Sequence, residues 1–440
     1  MSLSDHPRAY GTVALTVAFI AGVIVTLGFK DIYPELESRY ERRKKRSRRG
    51  SILFGPVSLE DREESARSSY DRGSSIIDGI EGTIGNTPLI KIRSLSEATG
   101  CTILAKAEFL NGAGGSPKDR VALNMIQVAE EQGLLSPGRG DTIYEGTVGS
   151  TGISLAVLAR ARGYNAHICM PDDMAVEKSD LLHHLGATVE RVPVAPITDP
   201  GHFVNLARAR AKAHTAAPDT PSRGFFADQF ESLANYTAHM KTTGPEIFEQ
   251  TDGGQLDAFI AGAGTGGTIA GVAKYLKEEA GLTALRVVLA DPQGSGLYNK
   301  IRHGVMYSAT EREGTRRRQQ VDTMVEGIGI NRITENFEAG RGLIDDAVRV
   351  TDEQASHMAR WLVEHDGIFI GSSSAVNCVA AVVTALKLPK GSRVVTILCD
   401  SGTRHLSKFW KHIAAMGLED ETAEHSDDLL AVLGIPKPQR

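Results

Sequence analysis

Residues 261–277 read AGAGTGGTIAGVAKYLK, and the apolar run LDAFIAG (256–262) leads into them. The pattern is a strand that enters Gly264-Thr265-Gly266-Gly267-Thr268 and passes directly into a helix. Glycines let backbone N–H groups approach an anion closely, and a helix N-terminus adds partial positive charge. The hydroxyls of Thr265 and Thr268 can donate further hydrogen bonds. The loop suits a phosphate monoester. A dinucleotide is the rival, because Gly262, Gly264 and Gly267 also satisfy GxGxxG, and a plain strand-to-helix turn would not require threonine at both places.

Working outward, the same alternation recurs. CTILAKAEF (101–109), AHICM (166–170), RVVLAD (286–291) and RVVTILCD (393–400) read as strands. VALNMIQVAEEQG (121–133), ISLAVLARARG (153–163) and VEKSDLLHHLG (176–186) read as amphipathic helices. Repeated β-then-α spacing predicts an α/β fold of mainly parallel sheets covered by helices, with ligands where strands end and helices begin. The chain of 440 residues, 41% apolar and 23% charged with 46 glycines, is large enough for a substantial core with many tight turns. A net charge of -5 gives no reason to expect a nucleic-acid partner. The four cysteines, Cys101, Cys169, Cys378 and Cys399, form no CxxC pair, so neither a disulfide framework nor a metal site is expected.

Three further motifs carry candidate chemistry. In KAEFLNGAGGSPKDRVALNMI (106–126) a strand is expected to end at Asn111, and Lys118 stands where the next helix begins. A helix N-terminus disfavours added positive charge, which favours the neutral, nucleophilic amine needed for an imine. In YEGTVGSTGISLAVLARARG (144–163), Thr147, Gly149, Ser150, Thr151 and Gly152 form another strand-turn-helix, suited to an amino-acid carboxylate. In GIFIGSSSAVNCVAA (367–381), Ser372, Ser373 and Ser374 precede a helix as an N-cap cluster, with one hydroxyl free to meet a ring nitrogen.

Together these motifs resemble the fold-type II, or β-family, pyridoxal-phosphate enzymes, in the group of cysteine synthase and cystathionine β-synthase. IGNTPL (84–89) resembles the family's opening signature, and ADQFESLAN, DPQGS, VEGIG and DSGTRHLS follow in its order. The resemblance spans roughly residues 76–416. It implies two α/β subdomains, a homodimer, and pyridoxal 5′-phosphate held as a Schiff base by Lys118. It further implies that Gly264, Thr265, Gly266, Gly267 and Thr268 hold the phosphate and that Ser373 meets the pyridine nitrogen. Ser150 would lie near the cofactor's 3′-oxygen. Thr147, Gly149, Ser150, Thr151 and Gln229 would hold the substrate carboxylate. The implied reaction converts O-acetyl-L-serine and sulfide to L-cysteine and acetate through an aminoacrylate. Condensation with homocysteine, serine dehydration and a non-catalytic cofactor-binding scaffold at a membrane are the alternatives. The chain departs from the family at Val148 and Ser150, where serine and asparagine are usual, and its lysine turn is one residue longer, with Pro117 in it.

The N-terminus reads differently. Residues 9–29, AYGTVALTVAFIAGVIVTLGF, contain no charge, and RYERRKKRSRR (39–49) sets eight bases against one acid. A stretch of about 20 apolar residues can span a bilayer, and the basic flank would stay cytosolic. The expectation is a membrane anchor at 1–30, a basic and Ser-rich linker at 31–75, a catalytic domain at 76–420 and a tail at 421–440. A fungal mitochondrial-type protein, anchored in the outer membrane and facing the cytosol, is the resemblance here; the endoplasmic reticulum is the alternative. Residues 193–224 and 307–321 read as surface loops.

Overall fold

The computed structural model describes residues 76–174, 176–306, 323–418 and 426–436. The apolar runs become strands: β1 (Leu89–Lys91), β2 (Thr102–Ala107), β3 (Thr142–Gly146), β4 (Asn165–Pro171), β5 (Thr188–Val192), β6 (Gly224–Phe226), β7 (Ala258–Gly262), β8 (Arg286–Pro292), β9 (Asp346–Val350) and β10 (Arg393–Leu398). They form a six-stranded sheet ordered β1-β2-β10-β7-β8-β9 and a four-stranded sheet ordered β5-β4-β3-β6. Within these sheets only β1 runs antiparallel to its neighbour.

The large sheet is apolar on both faces because its strands carry no polar alternation. Ile260, Val288 and Val394 point into one core, while Phe259, Val287 and Val395 point into the other. This is the period-two reversal of a pleated strand. The helix Ser372–Ala385 is buried along nearly its whole length under the first face. Each buried valine or isoleucine there contributes about 1.5–3 kcal/mol of transfer free energy. The small sheet has its own core, in which Val121, Ala122, Met125, Ile126 and Ala129 line one face of the helix Lys118–Glu131. That spacing is the apolar stripe of an amphipathic helix. The helix stops at Gly133, whose φ of +68° turns the chain back.

The structure corrects several expectations. The strand through Lys106 ends at Ala107 instead of Asn111, because Glu108 turns inward to pair with buried Arg120. Residues 193–224 are not all loop. They contain the helix Phe203–Ala216, whose Val204, Ala207 and Ala211 are buried. Leu429, Leu430 and Leu433, near the C-terminus, join the large core.

The transmembrane element of the expected fold class is also corrected. Among the described residues no helix is long and apolar enough to cross a membrane. The stretch read as an anchor, the linker at 31–75 and the loop at 307–321 lie outside the described residues. The outer-membrane and endoplasmic-reticulum placements, which needed a single-pass anchor, are therefore not upheld.

Candidate active site

Three of the motifs follow the C-terminal ends of β2, β3 and β7, and the serine motif, which follows the helix Asp352–Asp366, meets the end of β10 through the bond from Cys399 N–H to Ser374 Oγ. Lys118 is the first residue of the helix Lys118–Glu131, with Pro117 at the N-cap. Its backbone N–H donates to Ser116 Oγ at 3.2 Å. Its Nζ takes part in no hydrogen bond or ion pair among the described residues. Burial holds this amine below the usual lysine range, while Cys399 and Asp400 pull the other way.

Asp119 holds the lengthened turn before Lys118. Asp119 accepts the N–H groups of Gly114 at 2.8 Å and Gly115 at 2.9 Å, and the hydroxyl of Ser154 at 2.6 Å. That last bond ties the lysine turn to the helix Ser150–Ala161. Beneath the turn, Arg120 pairs with Glu108 at 2.8 Å and Glu246 at 2.6 Å. Lys106 pairs with Glu246 at 2.5 Å. Two cations and two anions therefore share one nearly dry cluster. Burial alone would raise the Glu108 carboxyl, but the Arg120 charge and hydrogen bonds take it down to about 2.

In the glycine-threonine loop, Gly266 has a φ of +86°, and a Cβ there would lie 2.5 Å from Phe337. A Cβ on Gly264 would lie 2.4 Å from the Gly327 carbonyl. Thr265 Oγ1 accepts from Asn235 Nδ2 at 3.0 Å, and Thr268 Oγ1 meets His239 Nε2 at 3.2 Å. Burial pushes His239 down to about 3, so a neutral imidazole supports this hydroxyl. The helix Gly267–Lys274 that follows has no side-chain cap.

The loop 147–152 is joined to this one through side chains. Thr151 donates its hydroxyl to Gln229 Oε1 at 2.6 Å. Asn235 Nδ2 donates to the Gln229 carbonyl at 2.8 Å as well as to Thr265. Gly149 N–H donates to Thr147 Oγ1 at 3.4 Å, and Gly149 caps the helix Ser150–Ala161 without a side-chain bond. Glu145, underneath, is pushed up to about 8 by burial, so it adds little negative charge beside a loop suited to a carboxylate.

The three serines, which the residue pattern alone leaves equivalent, have different partners. The helix they open is capped by Gly371, and none of them supplies the N-cap bond. Ser372 accepts from Glu326 N–H at 3.0 Å, and Ser374 from Cys399 N–H at 2.8 Å. Ser373 alone turns its hydroxyl to the Cys399 thiol, which burial pushes up to about 12. Cys399 in turn neighbours Lys118.

Sequence reading missed Arg404. Its Nη1 donates to Ser150 Oγ at 3.2 Å, and its Nη2 donates to the Gly114 carbonyl, so it joins the loop 147–152 to the lysine turn. Its position within DSGTRHLS was the available signal. Asn235 and His239, which buttress the glycine-threonine loop, were also unremarked within 227–247.

Helix N-termini without side-chain caps at Ser150 and Gly267, a glycine loop with two hydroxyls, a desolvated amine without a partner and the Ser373 hydroxyl beside Cys399 fit a phosphorylated pyridine aldehyde. Comparison with known proteins agrees. Residues 80–400 match the family described as pyridoxal-phosphate dependent enzyme. A protein of Neurospora crassa named Cysteine synthase 2 is 74% identical, with 100% of both chains covered. Among solved structures, O-ureido-L-serine synthase is similar with a TM-score of 0.65 and 31% identity, over 81% of this chain and 99% of that one. The O-acetylserine dependent cystathionine beta-synthase from Helicobacter pylori follows at TM-score 0.62 and 33% identity, over 76% and 98% of the two chains. The chain thus belongs to the pyridoxal-phosphate-dependent enzymes, within their cysteine synthase family.

Proposed function

We propose that this protein is a cysteine synthase, converting O-acetyl-L-serine and sulfide to L-cysteine and acetate. The observation that carries the chemistry is Lys118. A lysine amine without a partner, held below its usual range at a helix start, is poised both to hold an aldehyde and to accept a proton. The full-length likeness to a Cysteine synthase 2 favours O-acetylserine and sulfide over the other β-replacements.

In this reading the N–H groups and hydroxyls of Gly264, Thr265, Gly266, Gly267 and Thr268 hold the cofactor phosphate, and the Ser373 hydroxyl meets the ring nitrogen. Bound there, pyridoxal phosphate supplies the electron sink that acidifies the substrate Cα–H and lets acetate leave. Thr147, Gly149, Ser150, Thr151 and Gln229 orient the substrate carboxylate through the N–H groups and hydroxyls of an uncapped helix start. Lys118 Nζ takes the Cα proton. Ser150, standing where the family has asparagine, keeps its hydroxyl in register by accepting from Arg404. Residues 76–420 act as the catalytic body, and the assembly is a homodimer, as the family resemblance implies.

The test offers purified, cofactor-loaded protein O-acetylserine with sulfide or with homocysteine and identifies the products. Cysteine formed in step with acetate supports the reading. Faster formation of cystathionine, or no product from either nucleophile, overturns it.

A further inference from the structure

On the small sheet, on strands β4 and β5, three side chains of different chemistry converge. His167 and Cys169 alternate along β4 and so share one face of the strand. Cys169 stands directly opposite Glu190 of β5. His167 Nε2 lies 3.1 Å from Glu190 Oε2, and Cys169 Sγ lies 3.9 Å from the same oxygen. All three ligating atoms fall within 4.8 Å of one another. Ligand atoms around a tetrahedral zinc lie about 3.3–3.7 Å apart, so small rotamer changes would close this set onto one ion.

We propose that His167, Cys169 and Glu190 form a binding site for a zinc-class divalent cation. An imidazole, a thiol and a carboxylate are the borderline and soft donors such an ion takes, and three protein ligands leave one position for water. The Tyr144 ring stacks on the His167 ring with centroids 5.0 Å apart, which fixes the imidazole plane. The outer side is open enough for a water, since the side chains of His167 and Glu190 keep 19% and 26% of their exposure. Glu190 is at present paired with Arg210 at 2.8 Å. That guanidinium is half-exposed, so it can swing into solvent as the cation replaces it, and the Cys169 thiol releases its proton to water on coordination. Cys169 also supplies the carbonyl that accepts Thr147 N–H at 3.1 Å, so the ion would brace the strand end under the substrate loop. The sequence shows neither a CxxC pair nor a histidine cluster near the cysteines, so it gives no sign of this site. The third ligand comes instead from a neighbouring strand.

Cobalt(II) is the probe, titrated anaerobically into desalted, cofactor-loaded protein without added thiol. The expected result is one equivalent bound per chain, with intense tetrahedral bands in the red and a thiolate charge-transfer band in the near ultraviolet. Cys169→Ser should remove the charge-transfer band and weaken binding at least tenfold, while Arg210→Gln should tighten it several-fold. Circular dichroism and the cofactor absorption report whether Cys169→Ser folds. Should it not, His167→Gln and Glu190→Gln serve, each expected to weaken binding at least tenfold. Absence of a saturable signal, a weak octahedral spectrum, or binding indifferent to these substitutions overturns the site.

Discussion

Replacing Arg120 with methionine should cost the fold about 3–5 kcal/mol, the loss typical when one partner of a buried ion pair is removed. Arg120 keeps 1% of its side-chain exposure and Glu108 keeps none, so water cannot take over the lost contact. The structure gives a second route to the magnitude. The fall of the Glu108 carboxyl from an ordinary 4.5 to about 2 corresponds to about 3 kcal/mol of preference for its charged form in the folded state. In the parent protein this contribution is complete above about 4.5 and is lost as pH falls through about 2. In Arg120→Met the sign reverses. Burial, which already opposes the charged form, then dominates Glu108, so its folded value rises and the variant loses stability as pH rises. Urea unfolding of the cofactor-loaded protein at pH 5.5 and pH 8 measures both effects. The variant should fall further below the parent at pH 8 than at pH 5.5. A deficit under 1 kcal/mol, or one independent of pH, would refute the reasoning.

Other outcomes follow from the site. Lys118→Ala should abolish the visible absorption of a lysine-bound aldehyde and lower turnover by about 10²–10⁴, the range for loss of a proton-transfer group; absorption spectra and product assays check both. Arg404→Gln should loosen Ser150 and the lysine turn together. We expect kcat/KM for O-acetylserine to fall about tenfold, about 1.4 kcal/mol, with the cofactor band retained; unchanged kinetics would remove Arg404 from the site. His239, held at about 3 against an ordinary 6.5, lends stability above pH 6.5 that is lost as pH falls towards 3. His239→Asn should flatten the stability profile between pH 5 and 6.5 in denaturant titrations.

The α/β alternation of strands and helices was legible because it rests on local pattern. Apolar runs at 256–262 and 393–400 cannot be anything but interior strands once glycine-rich turns and helices follow them. The same locality placed Lys118 at a helix start. The apolar stretch at 9–29, whose hydropathy suggested a membrane span, lies outside the described residues, among which no helix is long and apolar enough to cross a membrane.

The sequence by itself determined the order of strand, turn and helix and the residue types at each turn, because hydrophobic period and glycine are properties of neighbours along the chain. Only the tertiary structure decided that Ser373 meets the Cys399 thiol, that Arg404 reaches Ser150, and that Glu190 meets His167 and Cys169. Those are contacts between strands and loops far apart in sequence. Their partners are chosen by sheet order and burial, which no local pattern encodes.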